Sequence, residues 1–471
     1  MIPLDKWRQR LKDPACACAL WVALCFALTS AVYLSWLDRL VALTDGAAAD
    51  WISMAAGYLL QAAGLGLAAL ALHRDPDGDM RRPFAAASAL FAATSVPALL
   101  ARAAAPAIGF GLAMNLFCGA ISGFYLCAIG RTVDAGSRAR TFGGGYAVAT
   151  VAVGLMTLPG RGRLVYSGWA LLLYLPLAAA MAVAARRLKL PDVAEQTPAP
   201  PEQAPSVTLA CAVVFLLSAV KNMGFCFPSA DIEAGLVPEL SRLPYAVGLV
   251  AAGFINDRNR KNGMVCTVAA LILPFIMLGL TSEPVPAAVC WGLDYLFYAF
   301  FTIFRVVLFM DLAAKTRRWS LAPLGLLMGR LGDVAGTAVG MLLAGHRVTL
   351  IAVTAAAFIP TAWLFYRQYL QIYEPEIVQR RSEMEVFDTF CLHHDLSARE
   401  REVFRMVLDN HTNGEIAERL FITERTVKYH VGNVLQKTGC RSRVELQKMF
   451  AQALYPQMQT TPQSPHNGKE E

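Results

Sequence analysis

"CACALWVALCFALTSAVYLSW", residues 16–36, runs for twenty-one residues without one charged side chain. A helix of about 20 apolar residues crosses the ~30 Å hydrocarbon core of a bilayer, so this stretch reads as a membrane span. The polar "MIPLDKWRQRLKD" before it imitates the start of a signal peptide, but the apolar run is too long for one and further apolar runs follow. The chain of 471 residues is 56% hydrophobic and only 16% charged, which is not the composition of a water-soluble globule. Its net charge of +7 is modest and is weak evidence for a nucleic-acid partner by itself.

Working outward from that stretch, twelve spans are expected: near 15–36, 51–72, 84–105, 108–130, 143–160, 164–185, 207–228, 239–255, 263–281, 285–312, 321–344 and 348–369. Lys and Arg are unevenly shared between the connecting segments. One side holds Lys6, Arg8, Arg10, Lys12, Arg74, Arg81, Arg82, Arg131, Arg138, Arg140, Arg186, Arg187, Lys189, Arg258, Arg260, Lys261, Lys315, Arg317 and Arg318. The other holds Arg39, Arg102, Arg161, Arg163, Arg242 and Arg347. Cytoplasmic segments carry the excess of positive charge, so an inner membrane with both termini in the cytoplasm is expected. The eleven cysteines form no CxxC pairs, and most lie in apolar runs where they pack as small hydrophobes.

The spans divide into halves, 15–185 and 207–370. The linker between them, 186–206, holds five prolines (Pro191, Pro198, Pro200, Pro201, Pro205) and reads as extended. Two six-span halves joined this way form a transporter-like plan. One inner loop, "GFINDRNRK" (253–261), resembles a signature of the major facilitator superfamily, G-x-x-x-D-R-x-x-R-like: Gly253 permits close helix approach, and Asp257 and the arginines can pair across helix ends. The equivalent first-half loop, "HRDPDGDMRR", keeps charges and loses the pattern. The fold class expected is all-α: a polytopic bundle of two six-helix halves followed by a small four-helix domain.

That small domain is read at 396–455, after a polar connector at 371–395 and before a disordered tail at 456–471. The N-terminal 1–14 is a cytoplasmic stub. Ser397 with Glu400, and Thr412 with Glu415, are two capping boxes. Thr423 caps a third helix, which Gly439 stops. At 100° per residue, Val427, Val431, Val434 and Thr438 share one face of it; Arg425, Lys428, Tyr429, Gly432 and Gln436 share the other. A buried aliphatic stripe, a basic outer stripe and a preceding short helix and tight turn make the helix-turn-helix plan. Its cations neutralise phosphates, and its outer side chains reach base edges in the major groove.

Residues 396–446 resemble the DNA-binding domain of LuxR-type regulators. The match rests on Leu396, Arg399, Glu400, Glu402, Val403, Thr412, Asn413, Glu415, Ile416, Ala417, Leu420, Thr426, Val427, Lys428, His430, Asn433, Lys437, Gly439 and Arg443. The resemblance implies base contacts from Lys428, Tyr429 and Gly432, and phosphate contacts from Thr423, Thr426 and Lys437; Arg425, Gln436 and Arg443 are further DNA-contact candidates. Gly432 brings no side chain and Tyr429 a bulky one, both departures from the pattern. The resemblance further implies a homodimer through the fourth helix, with Val444, Leu446, Met449 and Phe450 as candidates. DNA, membrane lipid and RNA polymerase are the macromolecular partners expected.

No soluble sensor or receiver domain accompanies the small domain, so the signal is expected to enter through the membrane part. Ionisable side chains inside spans cost about 2.5–3.5 kcal/mol each on insertion scales and mark sites. Lys221, Asp294, Arg305, Arg330 and Asp333 are the candidates for an unknown small-molecule ligand; Asn115 and Tyr125 are weaker ones in the first half. Asp311, near an inner end, is expected to pair with Lys315. The alternative to this pocket is internal ion pairing that fixes the bundle. No nucleophile, metal or phosphate-loop constellation occurs, so neither an enzyme nor a cofactor is expected. Two readings stay open: a membrane-embedded, one-component transcriptional regulator, or a secondary transporter with a regulatory or vestigial DNA-binding tail.

Overall fold

A computed structural model of the chain describes residues 13–76, 78–157, 170–187, 206–225, 238–278, 284–343 and 345–454. The proline-rich linker, the loop carrying Arg161 and Arg163, and the tail from 456 lie outside the described residues. The chain divides into two compact units, Met1–Gln371 and Ile372–Glu471. Among the described residues every regular element is helical.

In the first unit the twelve expected spans fall on helices α1 (Pro14–Leu43), α2 (Gly46–Arg74), α3 (Arg81–Leu100), α4 (Ala104–Thr132), α5 (Arg138–Thr157), α6 (Ala170–Arg187), α7 (Val207–Phe225), α8 (Pro238–Arg258), α9 (Arg260–Leu278), α10 (Pro284–Thr316), α11 (Leu324–Leu342) and the first part of α12 (Arg347–His393), whose residues from Ile372 on belong to the second unit. Six stretches are long and apolar enough to cross a membrane by length and composition among the described residues: α1, α2, α3, α4, most of α10 and the first part of α12. Asp13 caps α1, accepting from the Ala15 N–H at 3.1 Å, and Pro14 begins the helix, a position where its missing N–H costs nothing. Within α2, a π-helical turn at Trp51–Gly57 leads directly into Tyr58.

Among the described residues the most extensive packing between the halves comes from two helix pairs: α5 on α8, and α2 on α11. Shifting each helix number by six exchanges the two pairs, as expected of two related halves. The α5–α8 contact needs Gly253. A Cβ there would stand 2.8 Å from the Arg140 Cα, so any side chain would force the helices apart.

The inner loop adds a lock at the same place. Asp257 accepts from the N–H groups of Ala139 and Arg140 at 3.0 and 2.9 Å, placing a carboxylate on the positive end of α5. Arg260 reaches both Asp257 (3.0 Å) and Asp311 (3.1 Å), and Arg138 meets Asp311 at 2.9 Å. The expected Asp311–Lys315 pair is therefore corrected: two guanidiniums, one from each half, occupy that carboxylate. A guanidinium presents a planar fork of donors that suits a shared carboxylate better than an ammonium does.

The second unit holds α13 (Ala398–Leu408), α14 (Asn413–Leu420), α15 (Glu424–Thr438) and α16 (Arg443–Leu454). Both capping boxes form: Ser397 and Glu400 bond reciprocally, as do Thr412 and Glu415. The core joins Val403, Phe404, Val407, Ile416, Val427, Val431, Val434 and Leu446. It also takes in Phe387, Phe390 and Cys391 from the end of α12. The Phe404 ring stacks on Phe387 at 5.4 Å and on Phe390 at 5.3 Å. The segment expected as a connector thus ends as a fifth helical element of this core, because its aromatic residues have an apolar face to cover.

Candidate functional site

The face of α15 follows its sequence pattern. Val427, Val431, Val434 and Thr438 are buried. Arg425, Lys428, Tyr429, Gly432 and Gln436 are exposed, Tyr429 by 65%. Among the described residues Arg425 and Lys428 enter no ion pair, so both charges face water. Thr423 caps the helix by accepting from the Thr426 N–H at 3.2 Å, and the two hydroxyls lie 2.8 Å apart. The tight turn before α15 is made by Phe421, held in the left-handed region at φ 54° and 94% exposed.

Two of the expected DNA contacts also bond inside the domain. The Lys437 ammonium donates to Glu400 Oε2 at 2.7 Å and to the Asp395 carbonyl at 2.9 Å. Burial pushes the Glu400 carboxyl up, but the Lys437 and Ser397 hydrogen bonds outweigh it and hold the carboxyl below the usual glutamate range. Arg443 donates to the His411 carbonyl at 3.0 Å and to Asn413 Oδ1 at 2.7 Å, tying α16 to the start of α14. The dimer candidates divide in the same way. Leu446 is 1% exposed and belongs to the domain's own core, and Met449 and Phe450 pack against it. Leu446, a dimer candidate, thus holds α16 onto the domain's own core. Val444 remains 60% exposed.

In the first unit a cavity of about 360 Å³ lies between the halves. Tyr33, Tyr58, Tyr125 and Tyr146 line it from the first half; Tyr245, Tyr295, Tyr298, Arg305 and Arg330 line it from the second. Of the five expected ligand residues, the two arginines reach the cavity wall. Asp333 stands behind them, its Oδ2 at 3.6 Å from Arg305 Nη1 and 3.4 Å from Arg330 Nη1. Asn222 donates to the other oxygen of Asp333 at 2.6 Å. The Arg330 guanidinium also lies 4.3 Å from the centre of the Tyr58 ring, so a cation of the second half rests on an aromatic of the first. Lys221 and Asp294 are buried and interact electrostatically, and the Lys221 ammonium sits 3.5 Å from the Tyr298 ring centre. Asn115 is internally satisfied: it accepts from Gln61 at 2.7 Å and donates to the Gly111 carbonyl at 2.9 Å.

Gly329 makes room for this cluster. A Cβ there would meet Arg305 Nη1 at 2.7 Å, whereas one at Gly332 would meet the Phe215 carbonyl oxygen at 2.2 Å. The signal was present in "GLLMGRLGDVAG" (325–336), where glycines recur at four- and three-residue spacing and mark close-packed helix faces. Tyr58, Tyr298 and Asn222 carried no such signal, since their partners come from distant helices.

The two units thus define a membrane protein with a transporter-like helical bundle and a helix-turn-helix domain. Residues 394–450 match the family described as bacterial regulatory proteins, luxR family. The spore germination protein GerE of Bacillus subtilis is 47% identical over 58 residues, which is 12% of this chain and 78% of that protein. The chain belongs to the luxR family. The transcriptional regulatory protein DegU of Brevibacillus brevis is 44% identical over 52 residues, covering 11% of this chain and 22% of DegU. The nitrate/nitrite response regulator NarL of Escherichia coli K12 is also 44% identical over 52 residues, covering 11% and 24%. The chain therefore spans less than a quarter of those two regulators. LuxR-type regulators bind DNA and typically dimerise. The solved structure of the human organic anion transporter MFSD10 covers 79% of this chain and 100% of its own, with a TM-score of 0.55 and 15% identity. The bundle has the major facilitator fold.

Proposed function

We propose that the chain is a membrane-embedded, one-component transcriptional regulator. A small molecule binds the cavity between the halves, and its binding alters the DNA-binding activity of the luxR-family domain. The observation that carries this reading is the pairing, in one chain, of an aromatic, arginine-lined cavity with a recognition helix whose polar face is uncovered. Lys428 and Tyr429 reach base edges, Thr423, Thr426 and Arg425 meet phosphates, and Gln436 borders the same face. Both termini lie in the cytoplasm, since the excess of Lys and Arg falls on their side. The domain works as a homodimer, with Val444 on the contact, and engages RNA polymerase at the promoter. Tethering in the bilayer raises the effective concentration of neighbouring DNA-binding domains and favours their pairing.

Chromatin capture of the full-length protein, beside Lys428→Ala, tests the reading. Discrete sites that vanish in the variant are the expected result. The absence of sites under conditions where the protein is present would overturn it.

The fold and the buried carboxylates favour a second reading, a secondary transporter with a regulatory tail. Coupled transport uses a titratable group in the path, and Asp294 and Asp333 are the candidates. Uptake of a binding compound into vesicles, abolished by Asp333→Asn, would decide for it.

A further inference from the structure

We infer that the cavity selects a small organic anion: one carboxylate or equivalent monoanionic group on a planar aromatic body. The inference deepens the sensing reading and rests on it. Two guanidiniums, Arg305 and Arg330, share the single carboxylate of Asp333. Asp333 lies behind the wall, whereas both arginines line the cavity. Among the described residues one positive charge is thus left over at the surface of a low-dielectric pocket, where an uncompensated ion is costly.

Arg305 supplies the independent sign. It is 4% exposed; among the described residues its Nε has no hydrogen-bond acceptor, and its Nη1 has only the 3.6 Å ionic contact with Asp333, too long for a hydrogen bond. Buried guanidinium N–H groups without acceptors require one, and a ligand carboxylate offers two oxygens in the geometry that a guanidinium fork accepts. A cationic ligand would face the surplus charge, and a neutral one would leave it unanswered.

The rest of the wall fits an aromatic body. Phe26 and Tyr146 stack at 4.0 Å, and Tyr245 and Tyr298 at 5.4 Å, one pair in each half's contribution to the same cavity. A volume of about 360 Å³ lies at the small end of ligand pockets and suits a one- or two-ring compound. Capture of the anion by Arg330 also draws charge away from Tyr58, so binding is felt directly at the contact between the halves.

The test uses purified full-length protein in detergent, without DNA, and reads the unfolding midpoint. Benzoate, 3-phenylpropionate and indole-3-acetate are each compared with their own amide and with the amine of the same carbon skeleton. At least one acid should raise the midpoint saturably at millimolar concentration, about tenfold more potently than its amide or amine, as expected when a charge-assisted pair is exchanged for a neutral one. Arg330→Gln should remove the preference for acid over amide, and Arg330→Lys should keep part of it. Equal potency of acid and amide, preference for the amine, or no response to any acid would each overturn the inference. The comparison on the unaltered protein decides even where a variant does not fold. Promoter sites without anion binding would remove this inference alone; anion binding without promoter sites would remove the regulatory reading alone.

Discussion

Cations are arranged oppositely in the two units. In the bundle, Arg305, Arg330 and Lys221 sit in the interior, resting on aromatic rings beside buried carboxylates. In the small domain, Arg425 and Lys428 stand in water with no ion pair among the described residues. The difference teaches where each unit expects its partner. A buried cation is stable only if its surroundings or a bound ligand answer it, so surplus charge there points inward to a cavity. An exposed unpaired cation costs little to hold and is available for the phosphates of a large outer ligand.

The largest break is to remove one core and leave the other. Phe404 is fully buried under Phe387, Phe390 and Phe450. Phe404→Ala should cost the small domain about 3–5 kcal/mol, the range for deleting a buried aromatic. Hydrogen exchange on the full-length protein should show protection lost over 398–454 and retained in α1–α11. Equal loss in both would mean that the units do not fold separately.

Next comes a contrast within the bundle. Gly332→Ala drives a methyl against the Phe215 backbone carbonyl, so α7 and α11 must separate, at a cost of about 1–3 kcal/mol for overpacking. Gly329→Ala meets only the flexible Arg305 side chain, from Cδ to Nη1, and no backbone, so the side chain can give way. The first variant should lower the unfolding midpoint in detergent. The second should leave it nearly unchanged and weaken anion binding.

A smaller effect sharpens the outer side of the comparison. Lys428→Ala should weaken DNA binding by about tenfold and reduce the salt dependence by about one released counterion if the contact is to phosphate, or relax base preference if it is to a base edge. Binding measured across a salt series separates the two. An unchanged affinity would remove α15 from the DNA contact.

Local features were legible in the sequence because their causes are local. The stripe of Val427, Val431, Val434 and Thr438 follows from helical periodicity, and both capping boxes lie within four residues. Six of the spans were legible from apolar length alone. The fates of Lys437 and Arg443 were not, since Glu400 and His411 lie 37 and 32 residues away in the chain. A basic residue on an exposed helix reads as a DNA contact until its intramolecular acceptor is known. The cavity was legible only as a set of costly charges: the tyrosines that shape it come from several helices, and tyrosine in a span carries no periodic signal. The aromatic end of α12 was hidden in a polar segment for the same reason, as its partners Phe404 and Phe450 follow it in the chain.

The smallest expected effect separates two glutamates that share one motif. Glu400 and Glu415 both close capping boxes, and both carboxyls are held below the usual range. Backbone and side-chain hydrogen bonds from Thr412 lower Glu415, which lies in solvent. Glu400 is 4% exposed, and the Lys437 and Ser397 bonds overcome its burial. A carboxyl depressed in the folded state stabilises it fully above its unfolded value, near 4.3 for a free glutamate. That contribution is lost as the pH falls through the lower folded value. Acid titration of the small domain's unfolding, read by exchange at its core amides in the full-length protein, should therefore show stability falling only below the ordinary glutamate range. Lys437→Met leaves Glu400 desolvated without its cation, which raises the folded carboxyl, so stability at neutral pH falls and the share of the acid loss that comes from Glu400 shrinks or reverses. Glu415→Gln keeps both hydrogen bonds of its box in neutral form and should remove only the small acid loss of that one solvent-exposed carboxyl. If Lys437→Met instead leaves both the neutral-pH stability and the acid loss unchanged and weakens DNA binding, then Lys437 belongs with Lys428 among the outward-facing cations, and its bond to Glu400 holds nothing of consequence.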